Sequence, residues 1–251
     1  MSEFKSWQSY STFRNAVINE NRYFRDQGTE QFLNTVLVTS DGRKLDLPKN
    51  KYLWRAQLGQ GWRAVYQEDE YIADEPAPFE PSRMKPLLNE ATEGRANPKG
   101  IPYLYLATTK ETAMAEVRPW IGSFISVGQF ETQKDMVLLN CANHHKGFVF
   151  YFKEPNAEKK EQAVWADIDK AFSEPITLND RLADYVPTQI IAEFFKTNGF
   201  DGIFYKSMLG DGYNVVLFDI ESARLVNCNL YEAEKIKFDF QQAANPYAIK
   251  G

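Results

Sequence analysis

The sequence predicts an α+β fold: a core of small mixed or antiparallel sheets with flanking helices, preceded by a helical N-terminal extension. Three observations carry that expectation. Short apolar runs bounded by turn residues, such as Tyr103–Ala107 and Met136–Cys141, have the length and composition of buried strands. Amphipathic stretches stand among them: Lys160–Phe172 places Val164, Ile168, Ala171 and Phe172 on one face, and Pro187–Asn198 opens on a proline and stops at Gly199. Ile203–Tyr205 and Tyr213–Phe218 are joined across Gly210-Asp211-Gly212, a hairpin pattern, so at least one strand pair is antiparallel.

The remaining elements follow in chain order. Phe4, Trp7, Phe13, Val17, Ile18 and Phe24 recur at loosely helical spacing, which predicts one amphipathic helix over Phe4–Phe24 closed by a turn at Gly28. A second short helix is expected over Glu30–Val36, a turn at Asp41-Gly42, and a linker over Leu45–Lys51, so that residues 1–50 form an extension packed on the main domain. Gln67–Arg95 is rich in proline and acid with weak periodicity and is expected to be a long surface loop. Thr108 followed by Glu111 has the spacing of a capping box, and Pro119 should end the helix that starts there. Phe148–Phe152 reads as a further strand. The main domain is expected over residues 51–228, with 229–251 a tail packed on it that holds a strand before a loose end.

Composition narrows the classes of function. The 251 residues are 43% hydrophobic and 25% charged, with a net charge of -5, which does not suit a surface that tracks nucleic-acid phosphates. No apolar run approaches a membrane span, and Met1–Ser11 lacks the apolar stretch of a signal peptide. Cys141 and Cys228, the two cysteines, sit in apolar strand-like stretches and fit reduced, buried thiols in a cytoplasmic protein. The adjacent His144 and His145 would point to opposite faces of an extended segment, so no metal site is expected. Neither a P-loop nor a Rossmann glycine pattern occurs.

Five residues could carry chemistry. Arg55 lies in the strand-like run Tyr52–Leu58, two residues from Leu53 and therefore on the same face; a cation on an apolar face needs a carboxylate or a ligand anion. Arg95 stands in a turn-rich segment before a strand, where a guanidinium fork suits phosphate oxygens. Tyr105 is in the strand that follows. Glu116 sits among Ala113, Met114, Ala115 and Val117, either as a solvated helix residue or as a carboxylate in a pocket. Ser207 ends the Ile203–Tyr205 strand without the surroundings of an acylating nucleophile.

Their order carries more than any one of them. Tyr52-Leu53-Trp54-Arg55-Ala56, Gly94–Ala107, Glu111–Pro119 and Gly202–Ser207, with Pro187-Thr188-Gln189 and the strand Asn214–Phe218, resemble the blocks of the RES domain family in that family's order, from about Tyr52 to Asn227. The family is named for an arginine, a glutamate and a serine, matched here by Arg55, Glu116 and Ser207. The resemblance implies a fold like that of ADP-ribosyltransferases, with NAD as substrate and no cofactor required. Some bacterial members are paired with a helix-turn-helix antitoxin. In compact toxin-type members a tryptophan commonly follows the second arginine, and Ala96 stands there, so the chain is more similar to the longer, stand-alone members.

What the resemblance implies for chemistry is cleavage of the nicotinamide–ribose bond. Arg55 and Arg95 would clamp the pyrophosphate, Tyr105 would stack on nicotinamide or ribose, Ser207 would bond the ligand, and Glu116 would stabilise the oxocarbenium-like transition state. Hydrolysis, phosphorolysis, ADP-ribosyl transfer to a macromolecule and NAD binding without turnover all use the same residue types; the N-terminal helix with Trp7, Phe13 and Phe24 either packs on its own domain or forms a homodimer contact.

Overall fold

The computed structural model describes residues 3–87, 90–143, 151–174, 182–237, 239, 240 and 242. Two N-terminal helices, α1 (Ser9–Asn19) and α2 (Gln27–Thr39), come first. The single helix expected over Phe4–Phe24 is shorter, and Gly28 lies in the first turn of α2 instead of closing α1. The reason is Asp26, whose carboxylate accepts from Thr29 N at 2.7 Å and caps a new helix.

The strands are β1 (Lys44–Leu47), β2 (Tyr52–Leu58), β3 (Gly61–Gln67), β4 (Glu70–Ala77), β5 (Leu104–Ala107), β6 (Phe124–Thr132), β7 (Met136–Cys141), β8 (Gly202–Lys206), β9 (Tyr213–Leu217) and β10 (Ala223–Glu232). Three further helices are α3 (Lys110–Glu116), α4 (Ala157–Ser173) and α5 (Val186–Thr197). Eight strands form one sheet in the order β1-β7-β8-β9-β5-β2-β6-β10, and β3 and β4 pair apart as a two-stranded ribbon. Within the large sheet only β7–β8 is parallel, with α4 and α5 in the crossover that a parallel pair requires. The α+β class and mixed sheet are as the sequence predicts, although the strands join into one large sheet.

Several expected loops are strands. Lys44–Leu47, which overlaps the start of the expected linker, pairs with β7 at the sheet edge. Glu70–Ala77, within the expected surface loop, pairs with β3 through a tight turn at Glu68 and Asp69. The cap of α3 is Thr109, not Thr108: its hydroxyl accepts from Thr112 N, which shifts the helix start by one residue. Val117 caps the other end, short of Pro119. The expected strand over Phe148–Phe152 and the two histidines lie largely or wholly outside the described residues. Cys141 and Cys228 are free thiols, the first buried.

Strand alternation divides the core between two faces of the sheet. Leu139, Cys141, Ile203, Tyr205 and Val216 pack under the helices with Phe13, Phe32, Trp165, Ile168, Phe172, Ile191 and Phe195. Leu53, Leu104, Leu106, Phe130, Leu138, Val215 and Leu217 form the opposite core with Phe79 and Met84. Phe13 stacks on Phe32 with ring centroids 4.5 Å apart, so α1 and α2 share the helical-side core. A buried ion pair ties the 3-10 turn after α2 to α4. Arg43 Nη1 donates to Asp169 Oδ1 at 2.8 Å and to Asn140 O at 3.1 Å, while the guanidinium lies 4.2 Å from the centre of the Trp165 ring. Asp169 is buried, and burial outweighs the adjacent guanidinium to push its carboxyl up to about 7. Among the described residues no helix is long and apolar enough to cross a membrane.

Candidate active site

Register places the centre of the site. Tyr205 is paired with Asn214, Asn214 with Ala107, and Ala107 with Trp54, so these residues form one row across β8, β9, β5 and β2 on a common face of the sheet. That row lines a cavity of about 690 Å³, within the range of small-molecule sites. Arg55, Arg95, Tyr105 and Glu116 also line it, together with Gly94, Asn97, Tyr185 and Arg118. Four of the five residues singled out in the sequence therefore meet in one cavity, and Ser207 stands directly behind the fourth.

Arg55 projects from β2 and donates through Nη1 to Tyr105 O at 3.2 Å. Its Nε is buried with no hydrogen-bond partner, and burial pulls the guanidinium down to about 10, which still leaves it charged at neutral pH. A cation held this way is an electrostatic demand for an anion.

Arg95 is fixed by the loop that carries it. The Thr188 hydroxyl, in the first turn of α5, donates to Arg95 O at 2.6 Å, and Gln189 Nε2 donates to Gly94 O at 2.9 Å and Asn97 O at 3.1 Å. From inside the cavity the Tyr105 hydroxyl donates to Asn97 Oδ1 at 2.8 Å and accepts from Ala96 N at 2.9 Å. There is no room at Gly94 for a side chain: a Cβ would stand 2.6 Å from the Tyr105 hydroxyl oxygen. Ala96 is fully buried in the helical-side core. The Arg95 guanidinium donates to Ala171 O at 2.8 Å, near the C-terminal end of α4, where the helix dipole favours a cation. Burial pushes the Tyr105 and Tyr205 phenols well up, so both are neutral hydrogen-bonding groups; Arg95 draws both back, and the charge of Glu116 adds to the rise at Tyr205.

Glu116 is the last residue of α3 and is open to solvent at the cavity. Its Oε1 accepts from Ser207 Oγ at 2.7 Å and from Asn214 Nδ2 at 2.6 Å. Ser207 is buried, and its oxygen also accepts from Leu209 N at 3.1 Å and Gly210 N at 3.0 Å. One donor and two acceptor positions are the whole capacity of a hydroxyl, so all of it is used inside the protein. Chemically, the arrangement offers two cations for a polyanion, tyrosine rings for a flat group, and one oriented carboxylate. Among the described residues no group of histidine, cysteine and acidic side chains could hold a metal ion.

Sequence reasoning missed Asn214, Tyr205 and the scaffold formed by Gly94 and Asn97. Asn214 had a readable signal, since an asparagine inside the apolar run Tyr213–Phe218 is a poor strand residue and needs a partner. Arg118, next to the glutamate block, was available as a third cation at the cavity.

No curated protein matches the chain. The M. tuberculosis MbcT-MbcA toxin-antitoxin complex contains a chain that superposes with a TM-score of 0.43 at 13% identity, over 79% of this chain and 92% of that one. The model of the RES domain matches residues 42–240, most of the sequence, and the chain belongs to the RES domain family.

Proposed function

We propose that this protein cleaves NAD at the bond between nicotinamide and ribose. The observation that carries the reading is the pairing, in one cavity, of a buried cation with no ion-pair partner among the described residues, Arg55, and a carboxylate held by two neutral donors, Glu116. NAD is a substrate whose pyrophosphate answers the first and whose developing ribosyl cation answers the second.

In this reading Arg55, with Arg95, takes the pyrophosphate, and the tyrosine-lined wall takes the nicotinamide. The C1′–N bond breaks with its electron pair leaving on nicotinamide. Glu116 stabilises the oxocarbenium character of the ribose, and an oxygen of water or phosphate forms the new bond at C1′ while its proton leaves to solvent. No cofactor is needed. Ser207 acts through Glu116, because its own hydrogen-bonding capacity is taken. Free nicotinamide from NAD, lost by about 10²–10³ in Glu116→Ala, is the expected result. Product identification separates ADP-ribose, its phosphorolysis product and ADP-ribose attached to macromolecules. Unchanged NAD with every acceptor supplied sinks the enzyme reading.

A further inference from the structure

The hairpin β8–β9 and the helix α3 touch at two levels one helical turn apart. At the start of the helix, Thr112 Oγ1 accepts from Gly212 N at 3.0 Å, and Thr108 Oγ1 accepts from Tyr213 N at 2.9 Å just before it. The approach is close: a Cβ on Gly212 would lie 2.6 Å from Thr112 Oγ1. Four residues on, and therefore on the same face of the helix, Glu116 meets Ser207 before the turn and Asn214 after it. The hairpin thus grips α3 at both ends through one strand pair.

We propose that Asn214 is a positioning residue: its side-chain amide, in β9, and the Ser207 hydroxyl, just after β8, fix Glu116 Oε1 from the two sides of one hairpin and reserve Oε2 for the ligand. The geometry assigns the two donors different standing. Ser207 is itself held by two main-chain amides of the turn, so it is part of the hairpin's own framework. Asn214 lies in the row that lines the cavity, between Tyr205 and Ala107, and its amide is 2.6 Å from the carboxylate. A short charge-assisted bond from a neutral donor orients the carboxylate without neutralising it. The inference rests on the NAD reading for its kinetics and on geometry alone for its structural test.

Two substitutions separate positioning from space-filling. Asn214→Ala removes the donor; Asn214→Asp keeps the shape and replaces the donor with a charge that repels Glu116. In steady-state nicotinamide release, Asn214→Ala should lower kcat by about 10- to 100-fold with KM little changed. Asn214→Asp should be worse than Asn214→Ala at neutral pH and should recover as pH falls, when the introduced carboxyl is protonated and can donate. An isostere as active as wild type at neutral pH, or a loss confined to KM, overturns the proposal. Crystal structures of wild type and Asn214→Ala give a second readout that needs no turnover. The Glu116 carboxylate should leave its single rotamer in the variant, and an unchanged rotamer also overturns the proposal. Absence of nicotinamide from wild type would instead be the failure of the NAD reading, with the crystallographic comparison still decisive for Asn214.

Discussion

Arg55 and Tyr105 sit on neighbouring strands, and the main-chain oxygen of Tyr105 takes a hydrogen bond from the Arg55 guanidinium at 3.2 Å while the arginine's Nε stays buried and unpartnered. A group in this state costs the folded protein stability.

Arg55→Met should therefore separate binding from folding. Removing the buried charge while keeping much of the side-chain volume is expected to leave the protein as stable as wild type or about 1 kcal/mol more so. NAD affinity should fall at least about 10-fold, because the anion loses a desolvated partner. Thermal melting and isothermal calorimetry check the two arms. A variant that melts early but binds NAD normally would make Arg55 a structural residue.

The Gly94 loop gives a second test. In Gly94→Ala the added methyl would overlap the Tyr105 hydroxyl and lie 2.8 Å from Asn97 Oδ1, so the hydrogen bonds that hold Asn97 and Ala96 must give way. The expected cost is about 1–3 kcal/mol of stability, read by urea unfolding. KM for NAD should rise as Arg95 loses its fixed loop. A variant with wild-type stability and KM would show that the loop re-forms around the methyl.

A third concerns pH. Burial holds the Asp169 carboxyl at about 7, above its ordinary value of 3.8, with Arg43 opposing the rise. The folded state then binds more protons than the unfolded chain between these values. This contribution to stability is fully present below about pH 4 and is lost as pH rises through about 7. Unfolding free energies of wild type and Asp169→Asn, measured across that window, should diverge on the acid side, with wild type gaining relative stability as pH falls. A constant difference would mean that the carboxyl titrates alike in both states.

How far the sequence foretold the molecule depends on whether the cause of each element is local. The strand β7 matches its apolar run residue for residue, and α4 and α5 are set by their own apolar stripes, with Gly199 in the left-handed conformation beyond α5. The long strand β6 was not legible because Ser126, Gly128 and Gln129 interrupt it. Yet the buried Ser126 hydroxyl is satisfied by Gly59 O and Phe79 N, partners far away in sequence. The ribbon β3–β4 hid for the opposite reason, since both strands stay largely exposed and carry no buried periodicity. In the site, ordered blocks pointed to Arg55, Arg95, Tyr105 and Glu116, which share the cavity. That Ser207 spends its hydroxyl on Glu116, and that Asn214 joins it, are consequences of strand register that no single segment encodes.

The strand order has a consequence for how this protein comes into being. The strand β9 lies between β5 and β8 in the sheet, although it is the ninth to be made, and it carries the asparagine that grips Glu116. A chain emerging from the ribosome can hold Arg55, Arg95 and Glu116 and still have no assembled site, because the middle of its sheet is missing. On the proposed reading, a chain that ends before β9 should release no nicotinamide from NAD, because neither Asn214 nor the middle of the sheet is yet in place.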